Sequence, residues 1–297
     1  MIETKLQFKK IELSDKPWID ALLKKSDFRG SEYCFGNNFI WADVYSYRIG
    51  RYKDFYLQYN EEAKHFAFPA GEGDLGEVVQ VMMNYAKDHD FPFVMHVSHT
   101  ANKEKLEALM PGRWHFEERR DYFDYIYTAE SLITLKGKKL HSKRNFINRF
   151  IEKEWSVEPI TSDNIKECEE FNQFWCVQNN CCQDEGKREE MCAARKALKY
   201  FDVLGFKGCI LKQEGRVVAY SIGERINSDT MIVHIEKADA EVPGAYPMIN
   251  KQFATMFASD CTYVNREEDM GVEGLRKAKM SYNPVMFTER YRVTLND

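Results

Sequence analysis

Apolar residues recur every three or four positions in two segments of the first half of the chain and predict amphipathic helices there. The first helix follows the capping pair Ser14 and Asp15. The second covers residues 74–89, and an apolar run at 91–97 follows it directly as a predicted buried strand. Residues 6–11 also have the pattern of a strand. The first half therefore indicates helices packed on a sheet.

The second half repeats this order of elements. Residues 206–211, 217–226 and 231–236 predict three strands joined by short polar turns, which is the pattern of an antiparallel meander. A helix at 245–259 and a strand at 262–265 follow, like the helix and strand at 74–97. We therefore predict two copies of one α+β fold. The predicted domains are residues 1–130 and residues 131–297, and the second carries the candidate chemistry.

Composition narrows the classes of function. Hydrophobic residues make up 44% of the 297 positions, which excludes a disordered chain. The net charge of −5 excludes a protein that binds nucleic acid over its whole surface. We find no signal-peptide pattern and no run of about 18 apolar residues, so we expect a cytoplasmic protein without a transmembrane segment. The eight cysteines form no C-x-x-C pair, and we expect neither a metal nor a bound cofactor.

One segment is strongly basic. Residues 136–149 contain six Lys or Arg and no Asp or Glu, and they predict a helix. Cations at a helix N-terminus are unfavourable unless an anion offsets them. On the predicted helix Lys139 and Lys143 point toward the body of the protein, and Arg144 follows them. The segment is either a phosphate-binding site or a solvated basic helix.

The strand at 231–237 carries polar residues on one face. Alternation places His234 and Glu236 together there, and Glu224 on the preceding strand could join them. Such a pair can accept a proton or hold an ammonium group. The alternative is a structural hydrogen-bonded pair. Gly244 then opens the next helix, an arrangement that suits anion binding.

Residues 265–284 combine acidic and basic groups. Three carboxylates follow a predicted strand and could hold an ammonium group, although Asp269 could instead cap a helix. Cations on the next short helix could hold an anion. The candidate substrate-binding residues are Glu267, Glu268, Asp269 and Tyr282, and the candidate anion-binding residues are Arg276 and Lys279.

Two runs, at residues 138–150 and 265–284, resemble the C-terminal domain of phosphatidylglycerol lysyltransferases. The resemblance implies two tandem GNAT-like acyltransferase domains, related to Fem-type peptidyltransferases. Membrane-bound members of that family transfer an aminoacyl group from a charged tRNA to a lipid headgroup. The turn at residues 240–245 lacks the pyrophosphate loop of enzymes that use acetyl-CoA, and it contains Glu241.

We therefore predict an acyl or aminoacyl transferase, with Glu236, helped by His234, as proton acceptor. The donor would be a charged tRNA held by the local basic patch, and the acceptor a small molecule or a lipid headgroup. The alternatives are an acyl-CoA-dependent N-acyltransferase and a non-catalytic ligand or tRNA-binding module. The prediction requires the basic helix near residue 140 and the segment near residue 270 to line one cleft.

Overall fold

The computed structural model describes residues 6–296. Two compact units are present. Unit 1 comprises the described residues up to Asp124, the segment Glu268–Gly271 and the described residues from Phe287 onward, and unit 2 comprises Tyr125–Glu267 and Val272–Met286. The chain thus passes between units at residues 124 and 125, whereas the sequence pattern predicts a boundary at 130. Residues from Phe287 onward return to unit 1 because their strand pairs within its sheet.

The α-helices, in chain order, are α1 (Lys16–Ser26), α2 (Phe35–Trp41), α3 (Leu75–Asp88), α4 (Thr100–Leu109), α5 (Ala129–Thr134), α6 (His141–Phe150), α7 (Ile165–Gln178), α8 (Glu185–Lys199), α9 (Phe201–Leu204), α10 (Ala245–Phe257) and α11 (Glu273–Met280). The strands are β1 (Tyr47–Tyr52), β2 (Phe55–Asn60), β3 (His65–Ala67), β4 (Ala70–Gly71), β5 (Val94–Ser98), β6 (Trp114–Glu118), β7 (Asp124–Thr128), β8 (Trp155–Pro159), β9 (Lys207–Gln213), β10 (Arg216–Arg225), β11 (Thr230–Ala238), β12 (Tyr263–Asn265), β13 (Met286–Thr288) and β14 (Arg290–Leu295). Among the described residues, no helix combines the length and the apolar character that a membrane crossing requires.

The sheet of unit 1 has the strand order β1-β2-β3-β5-β14-β6, with β4 beside β2. β3 and β5 run parallel. β4 and α3 lie between them in the chain, and one face of α3 is buried in the core of unit 1. Asp74 caps α3 by accepting a hydrogen bond from the backbone N–H of Glu77, as its position before the apolar run predicts. Residues 6–11 form only an isolated bridge, between Lys9 and Ile49, instead of the predicted strand.

The second sheet has the order β13-β7-β12-β11-β10-β9-β8. The antiparallel meander predicted for residues 206–236 is observed as β9, β10 and β11. β11 and β12 run parallel and pair only from Thr230 to Ile232 and from Tyr263 to Asn265. β11 then continues to Ala238, while β12 ends. The parallel pair therefore separates at its carboxyl end, and the side chains that follow fill the gap.

Candidate active site

The gap between β11 and β12 is lined by a group of polar side chains from five parts of unit 2. Glu236 lies on β11, and Arg266 follows the last residue of β12. Asn250 is on α10, the helix that connects these strands, and Lys143 is on α6. Tyr282 follows α11. The carboxyl ends of parallel strands are a common location for ligand sites, because the connecting helices leave a crevice there.

Both carboxylate oxygens of Glu236 accept hydrogen bonds. Arg266 donates from Nη2 to Oε1 at 2.7 Å, and Asn250 donates from Nδ2 to Oε2 at 3.0 Å. Burial works against the charge of Arg266, but Glu236 and the nearby tyrosines outweigh it and raise the pKa of the guanidinium. The guanidinium lies 4.7 Å from the centroid of the Tyr282 ring and 5.7 Å from that of Tyr127. The ion pair is therefore held in one orientation.

Two polar atoms in this group have no hydrogen-bond partner among the described residues. They are Nη1 of Arg266 and Oδ1 of Asn250, and both are buried. The orientation of the Asn250 amide is fixed, because the reverse orientation would point its oxygen at the carboxylate of Glu236. A buried polar group without a partner costs about 1–3 kcal/mol, so each such atom calls for an explanation. A bound ligand or water would supply the missing partners.

Lys143 adds a second cation. Its ammonium lies 4.1 Å from the centroid of the Tyr282 ring, the ring that Arg266 also contacts. Partial burial lowers the pKa of Lys143, Arg266 lowers it further, and Glu236 acts in the opposite direction. Among the described residues, Lys143 has no ion-pair partner within 4 Å. The three charged groups carry one net positive charge, which suits an anionic or partly negative oxygen.

Gly244 determines how closely α6 approaches. Its φ of 90° is in the left-handed region, and a Cβ at this position would lie 2.3 Å from the carbonyl oxygen of Phe146. Any other residue would therefore push α6, and Lys143 with it, away from α10. The structure thus gives Gly244 a packing role next to the cation that the sequence predicts to bind an anion.

The basic helix and the segment at residues 265–284 meet at one ring. Lys143 from the former and Arg266 from the latter both contact Tyr282. Lys279 is buried and donates to the carbonyl oxygens of Arg266, at 2.6 Å, and Glu267, at 3.0 Å. It therefore fixes the turn that carries Arg266. Arg276 is half-buried on α11.

His234 lies in a separate network. Its Nδ1 is 2.8 Å from Oε1 of Glu267, and its Nε2 is 3.0 Å from Oε1 of Glu224. The imidazole is fully buried, and both ring nitrogens are engaged by carboxylates. This arrangement favours the structural reading that the sequence leaves open for His234. It also leaves the ring no free nitrogen with which to help Glu236 as a proton acceptor.

The predicted triplet of carboxylates is divided between the units. Glu267 belongs to unit 2, whereas Glu268 and Asp269 belong to unit 1. Asp269 is fully buried, accepts a hydrogen bond from the backbone N–H of Gly271 at 2.9 Å, and lies 3.6 Å from Arg120. These contacts stabilise a turn. They give Asp269 a structural role within unit 1.

Two predicted cations have other positions than the sequence suggests. Lys139 precedes α6, which begins at His141, and its side chain is exposed, so it does not point toward the body of the protein. Arg144 donates to the carbonyl oxygens of Leu135 and Gly137, the latter at 2.8 Å. It closes the turn before α6. Only Lys143 of this segment joins the group around Glu236.

Sequence reasoning missed Arg266 and Asn250. Arg266 precedes three carboxylates, and these drew attention to the acidic character of the run. Asn250 lies beside Ile249 and ahead of Phe253 on the buried stripe of α10. A lone amide on an otherwise apolar helix face is a signal that could have identified it, since buried polar groups require partners.

Comparison with protein families identifies the family of this chain. The family model described as phosphatidylglycerol lysyltransferase, C-terminal, matches residues 23–294. The chain belongs to this family. The resemblance predicted from the two sequence runs is thereby confirmed, and so is the α+β fold of tandem GNAT-like domains. This protein is thus a member of an acyltransferase family.

Among similar proteins, two solved structures share this fold and a third protein is similar in sequence. A solved structure of a conserved protein of unknown function from Bacteroides thetaiotaomicron is 41% identical, with a TM-score of 0.93, and the match covers 98% of this chain and 100% of that one. The structure of L-PGS from Bacillus licheniformis is 13% identical, with a TM-score of 0.63 over 94% of this chain and 91% of its own, and shows the fold alone. An uncharacterised protein of Mycoplasmoides gallisepticum is 26% identical over 171 residues, which span 57% of this chain and 55% of that protein.

Proposed function

We propose that this protein transfers an aminoacyl group from a charged tRNA to an amine or hydroxyl acceptor, at the gap between β11 and β12. The observation that carries the proposal is the group formed by Lys143, Arg266 and Glu236, with one net positive charge at the carboxyl end of a parallel strand pair. Membership of the lysyltransferase family supports an acyl transfer reaction.

In the proposed reaction, the acceptor nitrogen or oxygen attacks the carbonyl carbon of the aminoacyl ester. A bond forms between the acceptor and that carbon, and the ester bond to the terminal ribose of the tRNA breaks. The acceptor loses a proton, and the leaving ribose hydroxyl gains one. Orientation of the two reactants supplies most of the rate, because an ester is already activated.

Glu236 is the proposed proton acceptor. Its oxygens accept one hydrogen bond each from Arg266 and Asn250, and each oxygen retains a second lone pair for the acceptor's proton. Lys143, half-buried beside this carboxylate, would hold a phosphate of the tRNA 3′ end. The acceptor would be an amine, a hydroxyl compound or a lipid headgroup.

The test is a transfer assay with purified protein and tRNA charged with labelled amino acid. Amines, hydroxyl compounds and vesicles containing phosphatidylglycerol are offered as acceptors. We expect wild-type protein to release aminoacyl label from tRNA faster than spontaneous hydrolysis and to attach it to one acceptor class. Lys143→Met should lower this rate about tenfold, since it removes one charge-assisted contact to phosphate.

Lys207→Met is the matched control, because Lys207 is an exposed lysine on β9. It should retain the wild-type rate. Release of label by wild-type protein at only the spontaneous rate, with every acceptor, would contradict the proposal. Micromolar binding of CoA together with acyl transfer from acyl-CoA would support the acyl-CoA-dependent alternative. Binding of charged tRNA without deacylation would support the non-catalytic one.

A further inference from the structure

The two buried atoms without partners flank the same carboxylate. Arg266 bonds Glu236 through Nη2 and leaves Nη1, a donor, without a partner among the described residues. Asn250 donates to the other oxygen of Glu236 through Nδ2, and its Oδ1, an acceptor, also has no partner among the described residues. The Asn250 side chain is 98% buried, since only 2% of the residue is exposed. The two side chains that bond Glu236 therefore each retain one unused hydrogen-bonding atom, a donor on Arg266 and an acceptor on Asn250.

A ligand that complements this set needs an acceptor oxygen next to a hydrogen-bond donor. The carbonyl oxygen of an aminoacyl ester is such an acceptor, and the α-ammonium group one carbon away is such a donor. We infer that Arg266 and Asn250 recognise the α-amino carbonyl unit of the donor substrate. Arg266 Nη1 donates to the carbonyl oxygen, and Asn250 Oδ1, with the carboxylate of Glu236, accepts from the ammonium. This inference rests on the proposed function, and it names the residues that select the donor.

The same contacts have a consequence for catalysis. When the acceptor attacks, negative charge develops on the carbonyl oxygen, which is where Arg266 Nη1 donates. A donor already fixed at that position stabilises the transition state without reorganisation. The rings of Tyr282 and Tyr127 and the bond to Glu236 hold the guanidinium in place, so Nη1 does not have to move.

The proposed contacts distinguish aminoacyl esters from acyl donors that lack an α-ammonium group. A plain acyl thioester has the carbonyl oxygen but no α-ammonium, so it leaves Asn250 Oδ1 buried without a partner. Sites built to bond a polar group reject analogues that lack it strongly, because the unpaired group in the site is costly. The selectivity would therefore come from Asn250, and the rate acceleration mainly from Arg266.

The experiment measures binding by titration calorimetry with two probes. The first is an aminoacyl-adenosine in which a stable amide replaces the ester, prepared with alanyl and lysyl groups. The second is its counterpart without the α-amine. We expect wild-type protein to bind the first probe at least tenfold more tightly than the second. Asn250→Leu should lose most of this preference, and the remainder reflects the contact of the ammonium with Glu236.

The matched control is Asn172→Leu. Asn172 is also a buried asparagine of unit 2, and its Oδ1 accepts a hydrogen bond from Tyr220 at 3.1 Å. This variant should keep the preference for the α-amine. Equal binding of both probes by wild-type protein, or binding of neither, would overturn the inference, and neither result depends on a variant that folds. The proposed function is tested separately, by transfer from charged tRNA, so a failure of the inference can be distinguished from a failure of the proposed function.

Discussion

Each unit contains a buried arginine–glutamate ion pair near the carboxyl end of a strand. In unit 2 it is Arg266 with Glu236, beyond the parallel pair β11 and β12. In unit 1 Arg290 Nη2 donates to Glu32 Oε2 at 2.7 Å, and Ser98, the last residue of the parallel strand β5, donates to Glu32 Oε1. The two ion pairs are built from different elements, because Glu32 lies in a short 3-10 helix and Arg290 is the first residue of β14.

The charges around the two ion pairs differ. In unit 1 a second carboxylate, Asp124, accepts from the backbone N–H of Ser31 at 2.7 Å and acts on Arg290. Glu268 acts on Arg290 as well, so three carboxylates raise the pKa of one guanidinium. In unit 2 two cations, Arg266 and Lys143, face one carboxylate. Nε of Arg290 also lacks a hydrogen-bond partner among the described residues, so an unpartnered donor alone does not distinguish the units. The units differ in the sign of the net charge around the ion pair. That charge is positive in unit 2, which suits a partly negative oxygen, and negative in unit 1.

Removing the ion pair of unit 2 should have the largest effect on activity. Arg266→Met combined with Glu236→Gln removes the guanidinium without leaving a lone buried carboxylate, which would itself destabilise the fold. We expect kcat for aminoacyl transfer to fall by at least about 100-fold to 1000-fold, because the variant loses the oxyanion donor and, with Glu236, the proposed proton acceptor. Steady-state kinetics with charged tRNA measure this change.

The matched variant in unit 1 is Arg290→Met with Glu32→Gln. It should leave kcat per folded molecule unchanged, because the proposed chemistry belongs to unit 2. A loss of kcat in this variant as large as in the unit 2 variant would show that the two ion pairs do not differ in function.

Lowering the pH should destabilise unit 1. Burial, with the charge of Arg290, lowers the pKa of His65 in unit 1 from 6.5 to about 4. The unfolded chain therefore takes up a proton near pH 6.5 while folded unit 1 does not. The contribution of His65 to stability is complete above pH 6.5 and is lost as the pH falls toward 4. The shift corresponds to about 3 kcal/mol of unfolding free energy.

Hydrogen exchange of amides in α3 and β5, followed from pH 7 to pH 4, measures this loss after correction for the intrinsic exchange rate. His65→Asn should reduce the pH dependence, whereas His115→Asn, a change at an exposed histidine of β6, should not. Identical acid dependence in His65→Asn and wild-type protein would show that His65 is not the responsible group.

A variant of Lys237 tests whether a buried cation of unit 2 that lies outside the candidate site affects activity. Its Nζ lies 3.4 Å from the centroid of the Trp175 ring and 3.0 Å from Oε1 of Glu190. Burial lowers the pKa of Lys237, although Glu190 opposes the shift. Folding therefore carries a cost for the ammonium at neutral pH, and this cost disappears as the pH rises from the folded pKa to the ordinary value of 10.5.

Lys237→Met removes this cost while retaining most of the side-chain volume. We expect the free energy of unfolding at pH 7 to rise by about 1 kcal/mol, and the difference from wild type to shrink at pH 10. Urea denaturation at both pH values measures it. The value of kcat should not change, because β11 places consecutive side chains on opposite faces and Glu236 is next to Lys237. A parallel pH response of the two proteins would contradict the assignment.

The parts of the fold predicted from sequence are those set by local periodicity. The meander of β9, β10 and β11 and the helix after Asp74 follow from apolar spacing and turn residues over short distances. The return of β14 to unit 1 does not, because its partners β5 and β6 are far away in sequence. No local pattern encodes such a pairing.

The same limit applies to the site. Alternation on one strand places His234 and Glu236 on a common face, but their partners come from other elements. The partners of His234 are Glu224 and Glu267, and those of Glu236 are Arg266 and Asn250. Which of two neighbouring acidic or basic residues reaches a given carboxylate depends on where the chain turns. The sequence therefore predicts that the site contains both acidic and basic residues more reliably than it predicts which residues these are.

The most direct test of the account is a crystal structure of the protein with the aminoacyl-adenosine amide probe. We expect the probe to bind in unit 2, with its carbonyl oxygen at hydrogen-bond distance from Nη1 of Arg266 and its amine at Oδ1 of Asn250. A probe bound at Glu32 and Arg290, or one bound in unit 2 without contact to Arg266 and Asn250, would contradict it.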